Sequence, residues 1–384
     1  MKKGVTPLLW TLVVLNVVLT LVNAVFPNHL PVPILIPLLI VVPLAFALLH
    51  GAQRYTWGGI LTFLALCLVV SNLLENTSIL TGFPFGHYYY TSLLGPKLFL
   101  VPLLIGPAYF GTGYLALVLA TVLIGDIRPK GSWFTTFAVP FIASFMMVAW
   151  DLGMDPTSST IRHLWIWEQG GGYFGVPLTN YLGWFFTVYV FFQLFALYLR
   201  FRKASREGEE LTLPRSYYAQ AIVMYAVIGL VIVVNYLVGG PNRAITDAVG
   251  IIWQTRGIAE AEATVSIFTM LFAAALSAVK VLHGYALTDF SIDWEREQAR
   301  CPQGQISSSW TPTRTRNQDV IKIKFGYATC GGCPVRSQCT QSRQRTLTVR
   351  RREAHFALEA ARQREQTEEF AELYEQRAGA GEPK

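Results

Sequence analysis

The chain has 384 residues, 52% of them hydrophobic and only 14% charged, with a formal net charge of +7 and a mean hydropathy of +0.38. Soluble domains carry about 25% charged residues, so this balance excludes an ordinary soluble domain and points to a membrane protein. The charge is also uneven: from roughly Ser291 onward Arg, Glu and Gln are dense and long apolar runs stop, so the net charge identifies no single partner.

A crossing of the hydrocarbon core needs about 20 predominantly apolar residues. Eight segments qualify in chain order: roughly 7–26, 31–50, 57–74, 97–124, 133–150, 178–199, 216–238 and 264–282. They predict an all-α, polytopic transmembrane bundle over residues 1–284, followed by a separate tail over 285–384. The first segment follows Met1, Lys2 and Lys3 and resembles a secretory signal with a cut after Ala24; because further spans follow at once, it reads as a retained anchor. The second holds Pro31, Pro33, Pro37 and Pro43, which neighbouring helices must accommodate. The fourth is long and contains Gly106 and Pro107, so a kink or tilt is expected there.

Loop charges test this reading independently. With the amino end inside, the inner loops hold Lys2, Lys3, Arg54, Arg128, Lys130, Arg200, Arg202, Lys203, Arg206 and Arg215, against Lys97, Arg162, Arg243 and Arg256 outside. That excess fits the positive-inside bias and predicts a multi-pass cell-membrane protein with both termini in the cytoplasm. The outer loops 75–96, 151–177 and 239–263 then hold nearly all the unusual polar and aromatic sequence. A site is expected near the outer ends of the spans.

Asp151 and Asp155 lie in WDLGMDP, at the edge of an apolar run. Gly153 and Pro156 favour a helix end there, yet Asp faces the wrong end of the helix dipole as a stop signal. If the last turn persists, both carboxyls share one face, and acids at a membrane edge are functional by default. Such a pair suits a carboxylic acid kept protonated near neutral pH. Glu75 is a similar acid at a span end. His87 could act as a base, although a lone His among tyrosines also reads as an interfacial residue. Trp165, Trp167, Tyr173, Phe174 and Trp184 form either an aromatic belt at the membrane surface or a site for a flat, conjugated, apolar ligand. QGGGYFG lacks the spacing and the preceding strand of a nucleotide fingerprint; backbone flexibility or a close ligand approach is the reading it supports.

TGFPFGHYYY, WDLGMDP and WIWEQGGGYFGVPLTNYLGW together resemble the integral-membrane carotenoid biosynthesis proteins. These include carotenoid 1,2-hydratases of the kind that act on bisanhydrobacterioruberin or on monocyclic carotenes. The resemblance covers about residues 5–282. It implies acid-catalysed addition of water to a terminal C1,C2 double bond of an acyclic or monocyclic carotenoid, giving a tertiary alcohol without a cofactor. Protonation of an unactivated alkene needs a neutral carboxylic acid in an apolar site, and aromatic faces would stabilise the resulting cation. The implied roles are Asp155 or Asp151 as proton donor with the other tuning it, and Glu75 or His87 positioning water. His87, Tyr88, Tyr90, Trp165, Trp167, Tyr173, Phe174, Asn180 and Trp184 would contact the substrate. The partner is a carotenoid in the bilayer, with other carotenoid-pathway membrane enzymes as candidate neighbours. The alternatives are a pathway protein without hydratase activity, or a non-functional fusion. A membrane prenyltransferase would need paired Asp-rich motifs for magnesium, and only one DxxxD is present. A transporter would favour charged or broken helices at mid-depth.

In the tail, Cys301, Cys330, Cys333 and Cys339 are spaced for a four-thiolate structural zinc site, while Cys67 reads as a buried hydrophobe. RREAHFALEAARQREQTEEFAELYEQR, from Arg351, is strongly helix-forming. DFSIDWEREQARCPQGQISSSW, IKIKFGYATCGGCPVRSQCT and ALEAARQREQTEEFAELYEQRAG resemble a late segment of DDE-type insertion-sequence transposases. Those enzymes need three carboxylates to hold two metal ions, and membrane spans replace the segment that would bring the earlier ones. The resemblance therefore implies a passenger fragment without transposition chemistry, acquired when an insertion element landed near the end of a carotenoid gene. Arg343, Arg345 and Arg350–Arg352 read as a solvated charge run rather than a nucleic-acid contact.

Overall fold

In a computed structural model the chain forms two units, Met1–Leu282 and His283–Lys384. The structure describes residues 5–26, 32–127, 129, 132–202, 213–282, 285, 287–315, 318–333, 336–340 and 342–364.

The first unit is a multi-pass helical bundle. Its helices are α1 (Val5–Val25), α2 (Val32–Thr81), α3 (Ile105–Ile124), α4 (Trp133–Leu152), α5 (Leu178–Phe201), α6 (Arg215–Val238), α7 (Thr255–Ser266) and α8 (Phe272–Leu282). Single π-helical turns extend α4 through Ile161 and join α7 to α8, so among the described residues seven helical segments are long and apolar enough to cross a membrane. The sequence predicted eight spans. The difference lies in α2, where Thr56 has φ 65 and ψ 169 and interrupts the helix. A Cβ on Gly51 would stand 2.4 Å from Ile60 Cδ1. Pro43 lies against Gly111 while Leu68 lies against Gly106, although a straight helix would hold residues so far apart in sequence about 37 Å apart. The chain therefore turns back at Thr56, and α2 is a helical hairpin with two limbs.

The fourth predicted span also needs correction. It does not begin at 97: Lys97–Leu98 (β2) pairs antiparallel with Val101–Pro102 (β3) before α3 starts at Ile105. Pro107 thus falls in the first helical turn, where a missing N–H costs nothing, and the expected kink has no cause. From Tyr109 to Thr121 every residue of α3 is buried, as expected of a helix that is apolar all round. It is the central post of the bundle, packed against α2, α4, α6 and α8. Phe63, Phe110, Phe191, Phe192 and Phe195 interlock beside it.

Short antiparallel ribbons close one end of the bundle. Tyr88–Tyr90 (β1) pairs with Trp165–Trp167 (β4), and Ala244–Thr246 (β5) pairs with Ile252–Gln254 (β6). The glycine run before α5 packs tightly on its own chain: a Cβ on Gly171 would overlap the Val176 carbonyl carbon at 2.1 Å, and Gly175 has φ +89. Close approach is required there, but by the loop itself.

The second unit has a hairpin of Ser291–Asp293 (β7) and Gln298–Arg300 (β8). Ser309–Thr315 (β9), Gln318–Lys324 (β10) and Thr346–Arg350 (β11) form an antiparallel sheet with β10 in the centre. Tyr327–Gly331 (α9), Arg336–Cys339 (α10) and Arg352–Arg364 (α11) complete it. Ile321, Ile323, Phe325, Leu347 and Val349 are buried together with Phe290. This sheet was absent from the helix-based expectation for the tail, because its strands are short and their burial depends on pairing. The predicted terminal helix is present to Arg364; its continuation to Arg377 lies outside the described residues.

Candidate functional site

The helix does not stop at WDLGMDP. After Leu152 the chain makes one turn through Gly153 and Met154 and resumes helical geometry through Asp155 and Pro156 into Thr157–Ile161. Asp151 and Asp155 therefore sit inside the helical segment, each only 1% exposed. They are brought together by Asn180 of α5, whose Nδ2 donates to Asp151 Oδ2 at 2.9 Å and to Asp155 Oδ2 at 2.7 Å. Trp165 Nε1 donates to Asp155 Oδ1 at 2.6 Å. Asp151 Oδ1 is buried without a hydrogen-bond partner.

Glu75, 2% exposed, stands on the second limb of α2. Its Oε2 accepts from the Tyr88 and Tyr90 hydroxyls, the latter at 2.8 Å, and its Oε1 accepts from Tyr109 at 2.8 Å. Three phenols from two segments thus satisfy one carboxyl. Burial first, and then the Glu75 carboxyl, hold the Tyr88 and Tyr90 phenols well above their ordinary range, so both remain donors.

Strand alternation sets which residues face this cluster. Tyr88 and Tyr90 on β1, opposite Trp167 and Trp165 on β4, turn their rings to one side, while Tyr89 and Ile166 turn to the other. On the first side is a cavity of about 50 Å³, room for a few water molecules. Glu75, Tyr88, Tyr90, Tyr109, Asp155 and Asn180 give it polar walls, and Phe85, Ile105, Trp150, Met154, Trp165, Trp167 and Trp184 give it apolar ones. Tyr109 stacks on Trp184 with ring centroids 4.3 Å apart, and Trp150 meets Trp184 edge-on at 5.8 Å.

Of the residues expected from the sequence, Asp151, Asp155, Glu75, Tyr88, Tyr90, Trp165, Trp167, Asn180 and Trp184 converge here. Asp151 joins the cluster through Asn180 rather than by lining the cavity, and three other expected residues stand away from it. The His87 ring packs over Gly82, because His87 precedes the strand and points away from its inner face. Tyr173 donates to the Leu152 carbonyl at 3.3 Å and packs on Tyr181, while Phe174 packs on Trp253; their loop folds over the outside of the turn that follows Asp155.

Three contributors carried no sequence signal. Tyr109 and Trp150 are each one of several aromatics in apolar spans, and nothing in the pattern sets them apart. Glu262, 5% exposed on α7, accepts from Thr157 N at 2.7 Å and Thr157 Oγ1 at 2.6 Å. It ties the last span to the turn that carries Asp155, a long-range pairing that spacing cannot reveal.

In the second unit, Cys301, Cys330, Cys333 and Cys339 line one cavity of about 30 Å³, and all are free thiols. Burial chiefly, with smaller contributions from the other three cysteines, pushes the Cys339 thiol up to about 11. Among the described residues no group of three or more His, Cys, Asp or Glu side chains stands in an arrangement that could hold a metal ion.

Residues 34–240, more than half of the chain, match the model of a family described as carotenoid biosynthesis protein. Residues 300–384 match the model of the transposase DDE domain. Bisanhydrobacterioruberin hydratase of Haloarcula japonica is 32% identical over 112 residues, which cover 29% of this chain and 36% of that protein. The match thus spans little more than a third of the relative's length. No solved structure matches the chain. The apolar helices among the described residues, a buried acid cluster at one end of the bundle and the family match over that bundle lead to one conclusion: the chain belongs to the carotenoid biosynthesis protein family, with a transposase-like segment at its carboxyl end.

Proposed function

We propose that the membrane unit adds water to a terminal C1,C2 double bond of an acyclic or monocyclic carotenoid. The observation that carries this reading is the Asp151–Asp155 pair, sharing one Asn180 amide on the wall of an aromatic-lined cavity. Two carboxyls at one amide in a low-dielectric site are best accommodated with a proton between them. That proton passes to C2 of the alkene, leaving a tertiary cation at C1. The indole faces of Trp165, Trp167 and Trp184 stabilise it. A water then bonds to C1 and releases its proton to the acid cluster of Glu75 and the Asp pair, which restores the donor. One alkene and one water give one tertiary alcohol, and the sequence of steps needs no cofactor. The name of the Haloarcula relative favours hydration over other carotenoid chemistry.

The basic side chains Arg54, Arg200 and Arg202 gather at the end of the bundle away from the acids, which favours cytoplasmic termini and an outward-facing site. The transposase-like tail is a passenger in this reading, so ending the chain after residue 284 leaves hydration intact. The four cysteines of the second unit share a cavity but do not stand as a metal-holding group, so no zinc is assigned to them.

The test of the main reading is pigment analysis of a host that makes lycopene or a monocyclic carotene. With the gene, a more polar product heavier by one water is expected. With Asp151→Asn and Asp155→Asn it is lost. Undiminished product in both variants would sink the assignment.

A further inference from the structure

Hydration consumes one water per turnover, yet the walls described above face lipid-buried helices, and a carbocation survives only where bulk water is kept out. The β1–β4 ribbon has a second side. Against it lies another cavity, of about 20 Å³, lined by Ser159, Thr160, His163, Ile166, Gly175 and Asp247, large enough for a single water. Exposed Ala248 stands at its rim.

Two features tie this cavity to the acid cluster. Trp167 lines both cavities, so this residue stands between them. Its buried Nε1–H makes no well-formed hydrogen bond but lies close enough to interact with the Asp155 carboxyl, so the residue that lines both cavities also touches the acid. Ser159, on the floor of the second cavity, donates from Oγ to the Asp155 carbonyl oxygen at 2.8 Å, so the turn that carries the acid is also the wall of the second chamber. The rim is firm: Asp247 accepts from Val249 N, Ile251 N and Trp253 Nε1 at 2.8–3.0 Å.

We propose that the chamber between the Asp247 loop and the β1–β4 ribbon is the water inlet of the reaction site, and that Trp167 meters its passage to the acid pair. This rests on the hydration reading. The substrate end group enters from the apolar side of the first cavity and the water from the polar side of the second, so the two reactants meet only past Trp167.

The experiment uses the full chain in vesicles with two readouts. In the first, Ser159→Cys, a near-isosteric change, is treated with a charged methanethiosulfonate in the aqueous phase, and modification is mapped by mass spectrometry, with buried Cys67 as the unreactive internal reference. The thiol is expected to react, and adding Ala248→Trp at the rim is expected to slow it about tenfold or more. In the second, Ala248→Trp alone is expected to cut hydrated product by about tenfold while the amount of carotenoid bound stays unchanged. Should Ala248→Trp fold poorly, Ala248→Cys modified after folding by a bulky form of the same reagent takes its place, with the treated wild type as control. A Ser159→Cys thiol as inert as Cys67, or full-rate hydration with the rim blocked, overturns the inlet. If the wild type makes no hydrated product, the hydration reading fails by itself. The labelling arm then still decides: reaction slowed by the rim block supports an aqueous inlet, and unslowed reaction refutes it.

Discussion

The two ends of the membrane unit both bury polar groups, but in opposite ways. Away from the acids, the His50 ring is sandwiched between Phe46 and Tyr217, with centroid distances of 4.7 and 3.7 Å. Both its nitrogens are engaged, by the Tyr114 hydroxyl and the Tyr217 carbonyl, and nearby Arg54 pairs with Asp126. At the acid end, Asp155, Glu75 and Asn180 are equally buried but stand beside open space, and Asp151 Oδ1 has no partner. Burial of a polar side chain therefore does not by itself mark a site. A buried polar group next to a cavity does, because a ligand can complete its hydrogen bonding there.

Substitutions at the two ends should separate activity from stability. The largest effect is expected from Asp155→Asn, which removes a proton donor and should lower the hydration rate by about 10²–10⁴-fold, read as product per unit of folded protein. Asn180→Leu comes next. It strips both carboxyls of their shared donor, and leaving such groups unsatisfied costs about 1–3 kcal/mol, or roughly 10–100-fold in rate. At the other end, His50→Leu should lower thermal stability by about 1–3 kcal/mol through the orphaned Tyr114 and Tyr217 groups while hydration per folded molecule holds. A His50 variant of normal stability but depressed hydration would break the contrast. The smallest effect, none on hydration, belongs to a chain ended after residue 284; a large loss there would make the tail part of the enzyme.

Much of this architecture is legible in the amino-acid sequence. Apolar runs near 20 residues long predict the helices, since each backbone polar group in lipid must be satisfied within its own segment. WDLGMDP draws notice because Asp would be a poor stop signal at a helix C-terminus; the helix in fact runs on through Ile161, so the motif pointed to the acids for a reason the structure does not keep. The hairpin at Thr56 is less legible: the sequence separates two spans there, but whether they turn back on each other depends on packing against α3, not on the local residues.

Legibility is poorest at the site. A period-2 alternation over three residues is too short to read, so nothing in YYY or WIW announces that Tyr88, Tyr90, Trp165 and Trp167 face inward while His87 does not. Tyr109 and Glu262 reach the cluster across 34 and 105 residues of chain, and a single sequence carries no trace of such pairs. The sequence by itself determined the membrane class and the helical, polytopic architecture, because hydropathy and charge are local properties. Only the tertiary structure decided which acids share a donor, where space remains beside them and which residue lines both cavities. Those depend on packing between segments that meet only when the bundle closes.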